Sequence, residues 1–315
     1  MALMHNKNDR NFLSSVAEYK LLTVKQLSAI SQKSCQVIRK RMRTLEMEGL
    51  IITKMHGYGH ARGRPEDVIL LTEKGAKLLH NDRIPSGHAT FSSDKAEDSF
   101  SLGHLLLINW FRIHLLQIER VIPQLSVQYL GSNSNALSRN REDGFSLIER
   151  IPADQKSEKF IEFIPDGVFS IKSKGLEEKT LLFFLEADMG TETIASMDRD
   201  HKDLRQKVLN YQTLFRSGTY KRYEGVFNSN LNGFRLLFLV NSPARSASLC
   251  RLVQEMQPSD FIWLVDQQRM FSSGLSAKIW ARGGRNDKPP QSILGEKLAC
   301  ELPLIYGKSS FGAKD

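Results

Sequence analysis

Cysteine is scarce in this sequence, and its three cysteines lie far apart. Cys35, Cys250 and Cys300 form no CxxC pair, and an odd number of thiols cannot all pair with one another. A structural zinc site needs clustered ligands, and a disulfide framework needs paired ones. The scattered pattern therefore argues against both.

Long apolar runs are absent as well. A membrane-spanning helix needs about 18 or more consecutive apolar residues, and the best candidate, residues 105–116, is interrupted by Asn109, Arg112 and His114. The first residues, MALMHNKNDR, lack the apolar core of a secretion signal. We therefore expect a soluble, cytoplasmic protein that has no membrane partner.

Three common catalytic signatures are missing too. The sequence contains no GxxxxGK[ST] phosphate loop, no HExxH and no GxSxG, so nothing indicates P-loop, zincin or nucleophile-elbow chemistry. The chain has 315 residues, of which 41% are hydrophobic. That length and composition allow two domains with sizeable cores.

Positive charge is concentrated at the N-terminal end. The net charge is +9, and residues 1–85 hold 15 Lys and Arg against 8 Asp and Glu, which leaves only +2 for the other 230 residues. A local basic excess suits a polyanion such as DNA. A solvated basic surface without a partner would give the same count.

Residues 1–80 have the pattern of a winged helix-turn-helix domain. Helices are predicted at 11–18, 23–30 and 31–49, then two strands at 50–55 and 67–72, then a fourth helix at 72–80. Thr23 and Ser31 are the expected N-caps of the second and third helices, Thr72 that of the fourth, and Gly49 the C-cap of the third.

The third helix carries polar and basic residues outside its apolar stripe. Cys35, Ile38, Met42 and Leu45 recur at spacings of three and four residues and are expected to face the core. The positions left for solvent are Lys33, Gln36, Arg39, Lys40 and Arg43. Such a helix fits the major groove of double-stranded DNA, and the glycine-rich loop between the strands would bring Arg62 and Arg64 to the neighbouring phosphates. A winged helix that contacts proteins is the alternative.

The rest of the chain is predicted to form an α/β domain. Residues 81–100 are polar and read as a linker, and a long helix follows at 101–121. Beyond residue 145, apolar strands alternate with amphipathic helices, which implies parallel crossovers. We place this domain at 101–285 and a loosely packed C-terminal tail at 286–315.

Three acids lie in or beside two neighbouring strands of this domain. Asp166 lies in IPDGVF, and Glu186 and Asp188 end the apolar run FFLEAD. Side chains alternate along a strand, so Glu186 and Asp188 point the same way, and Asp166 approaches them if the strands pair. Clustered carboxylates repel one another, and a hard cation such as Mg²⁺ or Mn²⁺ resolves the conflict. In the alternative, the acids are solvated and pair with nearby cations, namely Lys172, Lys174 or Arg205.

The spacing resembles the PD-(D/E)XK nuclease superfamily, with a PD pair, about twenty residues, and then ExD within strand, strand and helix. The resemblance implies a restriction-endonuclease-like α/β fold with a mixed central sheet, in which Asp166 and Glu186 hold the metal. Asp188 stands where that family has its lysine, and we assign it to a second metal. Lys207 on the following helix, one turn before Tyr211, is the expected catalytic lysine.

The order of motifs also resembles the replication-relaxation family of plasmids and integrative elements. SLGHLLLIN, PDGVF, FLEADMGTET, KVLNY and FLVNSPAR follow the winged helix in that order, across nearly all of residues 10–285. The resemblance implies a DNA-binding protein in the replication, relaxation or maintenance of a plasmid or mobile element.

Three functions remain open at this point. The first is that DNA-binding role, with a nuclease-like C-terminal domain. The second is an active Mg²⁺- or Mn²⁺-dependent DNA endonuclease, and the third is a transcriptional regulator whose C-terminal domain serves dimerisation or protein contact. Double-stranded DNA is the expected partner in each. The sequence leaves open a homodimer and contacts with replication or mobilisation proteins.

Overall fold

The computed structural model describes residues 7–55, 67–81, 99–131, 147–152, 160–175, 179–190, 193–194 and 203–304. The chain divides into two compact units, and the division falls after Ile113, inside a long helix. Of the described residues, unit 1 comprises those up to Ile113 together with Leu304, and unit 2 comprises those from His114 to Pro303. The fold is α/β with a mixed sheet in unit 2. The predicted wing residues Arg62 and Arg64, and most of the predicted linker, lie outside the described residues.

Unit 1 combines helices with a small antiparallel sheet. Its elements are α1 (Lys7–Tyr19), β1 (Leu21–Thr23), α2 (Val24–Ser31), α3 (Cys35–Met47), β2 (Ile51–Met55), β3 (Asp67–Leu71), α4 (Glu73–Asn81) and the first part of α5 (Ser99–Val121). The strand order is β1-β3-β2. One core cluster joins the helices to this sheet. It contains Leu13 and Val16 of α1, Leu45 of α3 and Ile69 of β3, all of which are fully buried.

Local hydrogen bonds explain where the helices of unit 1 begin. Thr23 caps α2 as predicted: its hydroxyl accepts from the Gln26 amide at 3.2 Å, and the Gln26 side chain accepts from the Thr23 amide at 3.0 Å. Thr72 caps α4 by accepting from the Gly75 amide at 3.1 Å. The prediction that Ser31 opens α3 is wrong. Gln32 has a φ of +56°, which ends α2 at Ser31, and Ser34 then caps α3.

The long helix α5 is fixed to unit 1 by polar side chains. The Asn109 amide nitrogen donates to the carbonyl oxygens of Tyr19 and Leu21 at 3.1 and 2.8 Å, and the Gln26 amide nitrogen donates to that of Leu106 at 2.9 Å. Each bond joins a buried side-chain amide to a backbone carbonyl of another element, so the amide nitrogen and the carbonyl oxygen are both satisfied. These bonds give a physical reason why unit 1 extends to Ile113, beyond the predicted linker.

Unit 2 is built on a six-stranded sheet of order β11-β10-β9-β8-β7-β4. The strands are β4 (Leu125–Leu130), β7 (Gly167–Ser173), β8 (Thr180–Asp188), β9 (Phe234–Val240), β10 (Ile262–Asp266) and β11 (Ala281–Arg282). β8, β9 and β10 are parallel, and the outer pairings are antiparallel. The parallel strands are connected through α6 (Leu204–Ser217) and α8 (Pro243–Glu255), so the predicted crossovers are confirmed.

Two parts of unit 2 lie outside the predicted alternation of strands and helices. The run FIEFIPDGVFSI forms two consecutive strands: β6 (Phe160–Phe163) pairs with β5 (Glu149–Pro152) in a separate ribbon, and β7 belongs to the main sheet. Pro165 lies between them and has no amide hydrogen to donate to a ladder. Residues 286–303 belong to unit 2, and Ser292 and Ile293 there are buried.

The remaining helices complete unit 2. A 3₁₀ turn (Thr219–Tyr223) and α7 (Glu224–Phe227) follow α6, and α9 (Gln267–Ser273) follows β10. A second 3₁₀ turn occupies Glu296–Leu298. None of the helices in the described ranges is long and apolar enough to cross a membrane.

Candidate functional site

Asp166 is fixed at the point where β7 begins. Its carboxylate Oδ2 accepts from the Ala187 amide of β8 at 2.8 Å, and its carbonyl oxygen accepts from the Tyr129 hydroxyl at 3.2 Å. The next residue, Gly167, has no side chain, and a Cβ at this position would lie 2.2 Å from the Tyr129 hydroxyl oxygen. β7 and β8 pair with Gly167 opposite Leu185, so Asp166 lies beside Glu186. The predicted adjacency of the two acid-bearing strands is confirmed.

Glu186 is buried near the end of β8 and is held by two side chains of α6. Tyr211 donates its hydroxyl to Oε1 at 2.5 Å, and the Lys207 ammonium lies 3.2 Å from Oε2. Lys207 and Tyr211 are four residues apart, so they occupy the same helix face. α6 begins at this place because Asp203 caps it, accepting from the Gln206 amide at 2.8 Å.

The electrostatics of this cluster reflect its burial. Burial raises the pKa of Glu186 to about 7; the Lys207 ammonium lowers the pKa, the Asp166 carboxylate raises it, and the Tyr211 hydroxyl lowers it. Burial, together with the neighbouring Glu186, also raises the pKa of Tyr211 well above its usual value. The phenol therefore stays protonated and remains a hydrogen-bond donor to the carboxylate.

Asp188, two residues after Glu186, has different partners. Arg245 of α8 donates to its carboxylate through two nitrogens, Nε to Oδ2 and Nη2 to Oδ1, the latter at 3.2 Å. The Gly190 amide also donates to Oδ1, at 3.0 Å. The structure thus places Asp188 in a buried ion pair, apart from the Lys207 contact. Neither Glu186 nor Asp188 pairs with the cations that the solvated alternative offered. Sequence reasoning missed Arg245, although it lies in the noted segment FLVNSPAR.

The acid cluster has the donor set of a small hard-cation site. Within the described ranges, no group of three or more His, Cys, Asp or Glu side chains could hold a metal ion. Mg²⁺ commonly uses only one or two carboxylates, with water and phosphate oxygens completing its shell. A cation between Asp166 and Glu186 would offset both effects that raise the pKa of Glu186, first its burial and then the charge of Asp166. These two residues therefore fit Mg²⁺ or Mn²⁺.

A second candidate surface lies on α3 and just before it. The predicted set is exposed throughout: Lys33, Gln36, Arg39, Lys40 and Arg43. The prediction that Lys33 lies on the third helix is wrong, because α3 begins only after the Ser34 cap; the Lys33 ammonium donates to Asn8 Oδ1 at 3.1 Å. Ile38, Met42 and Leu45 on the opposite side are buried, whereas Cys35 is half-buried. Arg41 does not belong to this exposed set, because it forms an ion pair with the buried Asp9 of α1. We call the five exposed positions the α3 face.

Comparison with known protein families matches residues 13–229 to the replication-relaxation family, which is more than half of the chain. The chain belongs to the replication-relaxation family. No curated protein and no solved structure matches it. The matched range takes in the α3 face and the cluster of Asp166, Glu186 and Lys207, and it ends before Arg245. Membership in the replication-relaxation family indicates a role in the replication or relaxation of a plasmid or mobile element.

Proposed function

We propose that this member of the replication-relaxation family binds double-stranded DNA through the α3 face and so acts on plasmid or mobile-element DNA. The α3 face carries the proposal. It presents four cations and one amide to solvent; three of the cations and the amide lie on a helix whose other side is buried in the core, and Lys33 lies just before that helix. Cationic and amide side chains on an exposed helix are the groups that contact phosphates and base edges.

The surroundings of α3 support this proposal. A short capped helix, α2, precedes it, and the antiparallel strands β2 and β3 follow it. In a winged helix the second helix of such a pair enters the major groove and the hairpin contacts the adjacent backbone. The ion pair between Arg41 and Asp9 ties α3 to α1. That anchor would hold the α3 face rigid as it meets DNA.

The test uses the full-length protein and a fluorescently labelled duplex of mixed sequence, with binding followed by anisotropy at low salt. We expect Arg39→Ala/Arg43→Ala to weaken binding by about tenfold or more, because hydrogen bonds from charged groups are lost. Arg251→Ala is the matched control, since Arg251 is exposed on α8. Equal affinity of the double variant and the control would remove α3 from the proposal.

A second candidate function is supported by the acid cluster: metal-dependent cleavage of DNA by a PD-(D/E)XK-like domain. The supporting observation is the position of Lys207, 3.2 Å from Glu186 although it comes from α6 rather than β8. Asp166, Glu186 and the Ala187 carbonyl would hold Mg²⁺ or Mn²⁺. When bound, such a cation activates water and stabilises charge on the phosphate. Lys207 would orient the attacking water, and Tyr211 would fix the Glu186 carboxylate.

Cleavage is tested with supercoiled plasmid in Mn²⁺ and then Mg²⁺. If the cluster is catalytic, the wild type nicks the plasmid, Asp166→Ala is inactive and Lys207→Met is strongly slowed. Lys174→Met serves as the control, because Lys174 is exposed and lies beyond the end of β7. Nicking that survives Asp166→Ala would come from a contaminant. DNA binding without any cleavage would instead favour a regulator whose second unit contacts proteins.

A further inference from the structure

A pocket of about 630 Å³ opens in unit 2 where the parallel strands begin. The acid cluster, by contrast, lies where β8 ends. Arg235 is paired with Phe183, and Glu186 with Phe238, so the two places are three residues apart along the strands, or roughly 10 Å. Arg235 and Glu186 also point to opposite faces of the sheet, since side chains alternate. The pocket is therefore a separate feature.

Among the described residues that line this pocket, cationic groups outnumber acidic ones. Lys179, Arg235 and Arg282 are the cations, and Asp260 is the one carboxylate in that set. Asp260 is already shared, because Arg285 Nη2 lies 2.6 Å from its Oδ1 and Arg282 Nη2 lies 3.6 Å from its Oδ2. Asp260 is therefore already engaged by two arginines, and within the described lining it does not offset the charge of Arg235.

Arg235 is the central cation of the pocket. Its guanidinium lies over the Trp263 ring, 4.8 Å from the centroid, and 5.8 Å from that of Phe183. One nitrogen, Nη1, donates to the Ile293 carbonyl oxygen at 2.7 Å. Within the described part of the chain it forms no ion pair with a carboxylate. A guanidinium has five N–H donors, so most of them are left for a ligand.

The environment of Arg235 disfavours its charged form when no anion is beside it. Burial lowers its pKa, and the nearby positive charge of Arg282 lowers it further. Two guanidinium groups that face the same cavity are a common arrangement for phosphate, because each can donate two parallel hydrogen bonds. A bound phosphate would satisfy the donors and offset the repulsion between Arg235 and Arg282.

The other walls suit a nucleobase. The rings of Phe215 and Phe261 line the pocket, are both partly buried and stack on each other with their centroids 4.9 Å apart. Asn230 and Asn232 are exposed at the rim. Aromatic rings stack bases, and amides pair with base edges. A volume of about 630 Å³ is in the range of small-ligand sites.

We propose that this pocket binds a nucleotide, with its phosphate on Arg235 and Arg282 and its base against Phe261. The nucleotide is either free in solution or the phosphorylated end of a DNA strand. Both sources present the same phosphate and base. This proposal concerns unit 2 and does not depend on DNA binding by the α3 face.

Isothermal titration calorimetry of the full-length protein tests the pocket with three probes: deoxyadenosine monophosphate, deoxyadenosine and inorganic phosphate. We expect the nucleotide to bind at least about tenfold more tightly than either fragment, because only it uses both walls. Arg282→Gln should weaken nucleotide binding by about tenfold or more. Arg251→Gln should leave it within about twofold, because Arg251 lies outside the pocket.

Arg282 is the informative position because it is 41% exposed and its replacement should spare the fold. Arg235→Lys is the second variant, since it keeps the charge and removes the planar fork. Thermal melting checks that both variants remain folded. The proposal is overturned if the nucleotide gives no heat, if deoxyadenosine binds as tightly, or if folded Arg282→Gln binds like the wild type.

The two sources are separated with single-stranded oligonucleotides that carry a 5′-phosphate or a 5′-hydroxyl. These are added to the Arg39→Ala/Arg43→Ala variant, in which the α3 face is weakened. Preference for the phosphorylated oligonucleotide over the free nucleotide identifies a strand end as the ligand. Preference for the free nucleotide identifies a soluble nucleotide. Equal binding of the 5′-phosphate and 5′-hydroxyl oligonucleotides, with no binding of the free nucleotide, would contradict the proposal.

Discussion

The ion pair between Arg245 and Asp188 offers a sharp test of how the acids of unit 2 are arranged. The Asp188 side chain is 3% exposed and that of Arg245 is 14% exposed. In Arg245→Met the aliphatic stem is retained and the cation is lost. Within the described residues, the Asp188 carboxylate then keeps only its hydrogen bond from the Gly190 amide. An unpaired buried charge should lower the free energy of unfolding.

The expected size follows from that burial. Breaking a buried pair by removing one partner costs about 3–5 kcal/mol. The remaining Gly190 hydrogen bond favours the lower end, so we expect Arg245→Met to lose about 3 kcal/mol. Adding Asp188→Asn removes the stranded charge, and the double variant should recover about 2 kcal/mol of that loss.

The assay is urea unfolding followed by tryptophan emission. Trp263 and Trp280, two of the three tryptophans, lie in unit 2, so the signal reports mainly on the unit that holds the pair. A loss below about 1 kcal/mol, or no recovery in the double variant, would refute the reasoning. Recovery of Arg245→Met by added Mg²⁺ alone would instead assign Asp188 to a metal, as the sequence first suggested.

Three further predictions concern stability. Burial lowers the pKa of His114 from 6.5 to about 3, so the unfolded chain binds the proton first. The stability that the neutral, buried His114 contributes is therefore fully present above pH 6.5 and is lost as the pH falls toward 3. Between pH 7 and 5 the wild type should lose about 2 kcal/mol more than His114→Phe in urea unfolding. Gly75→Ala should cost about 1–3 kcal/mol and lower Tm, because its Cβ would lie 2.2 Å from the Leu50 carbonyl oxygen; an unchanged Tm would show that the backbone yields. Tyr223→Phe should cost about 1–3 kcal/mol in urea unfolding, since its hydroxyl donates to the buried Glu149 carboxylate at 2.5 Å; a wild-type midpoint would argue against this role.

Much of the fold follows from periodicity and caps. The Thr23 capping box, the buried stripe of Ile38, Met42 and Leu45, and the crossovers around β8 and β9 are local or nearly local features. The start of α3 was harder to predict. Ser31 and Ser34 are both good N-caps, and only the left-handed conformation of Gln32 decides between them.

The candidate site shows where such reasoning stops. The adjacency of Asp166 and Glu186 followed from two strands joined by a short connection, and the position of Lys207 followed from a family resemblance. The partner of Asp188 could not be found in this way, because Arg245 is 57 residues further along the chain. Long-range pairs of this kind depend on how α8 packs on the sheet, and no local pattern encodes that packing. The sequence analysis also missed Arg235, whose hydrogen bond to the Ile293 carbonyl joins residues 58 positions apart.

Binding of duplex DNA as a function of salt tests the central claim most directly. The logarithm of the binding constant falls with the logarithm of salt concentration by about 0.9 per phosphate contact. If the four cations of the α3 face each contact a phosphate, the wild-type slope is about −3.6 or steeper, and Arg39→Ala/Arg43→Ala makes it shallower by about 1.8. A slope near zero, or a slope that the double variant leaves unchanged, would contradict DNA binding through the α3 face.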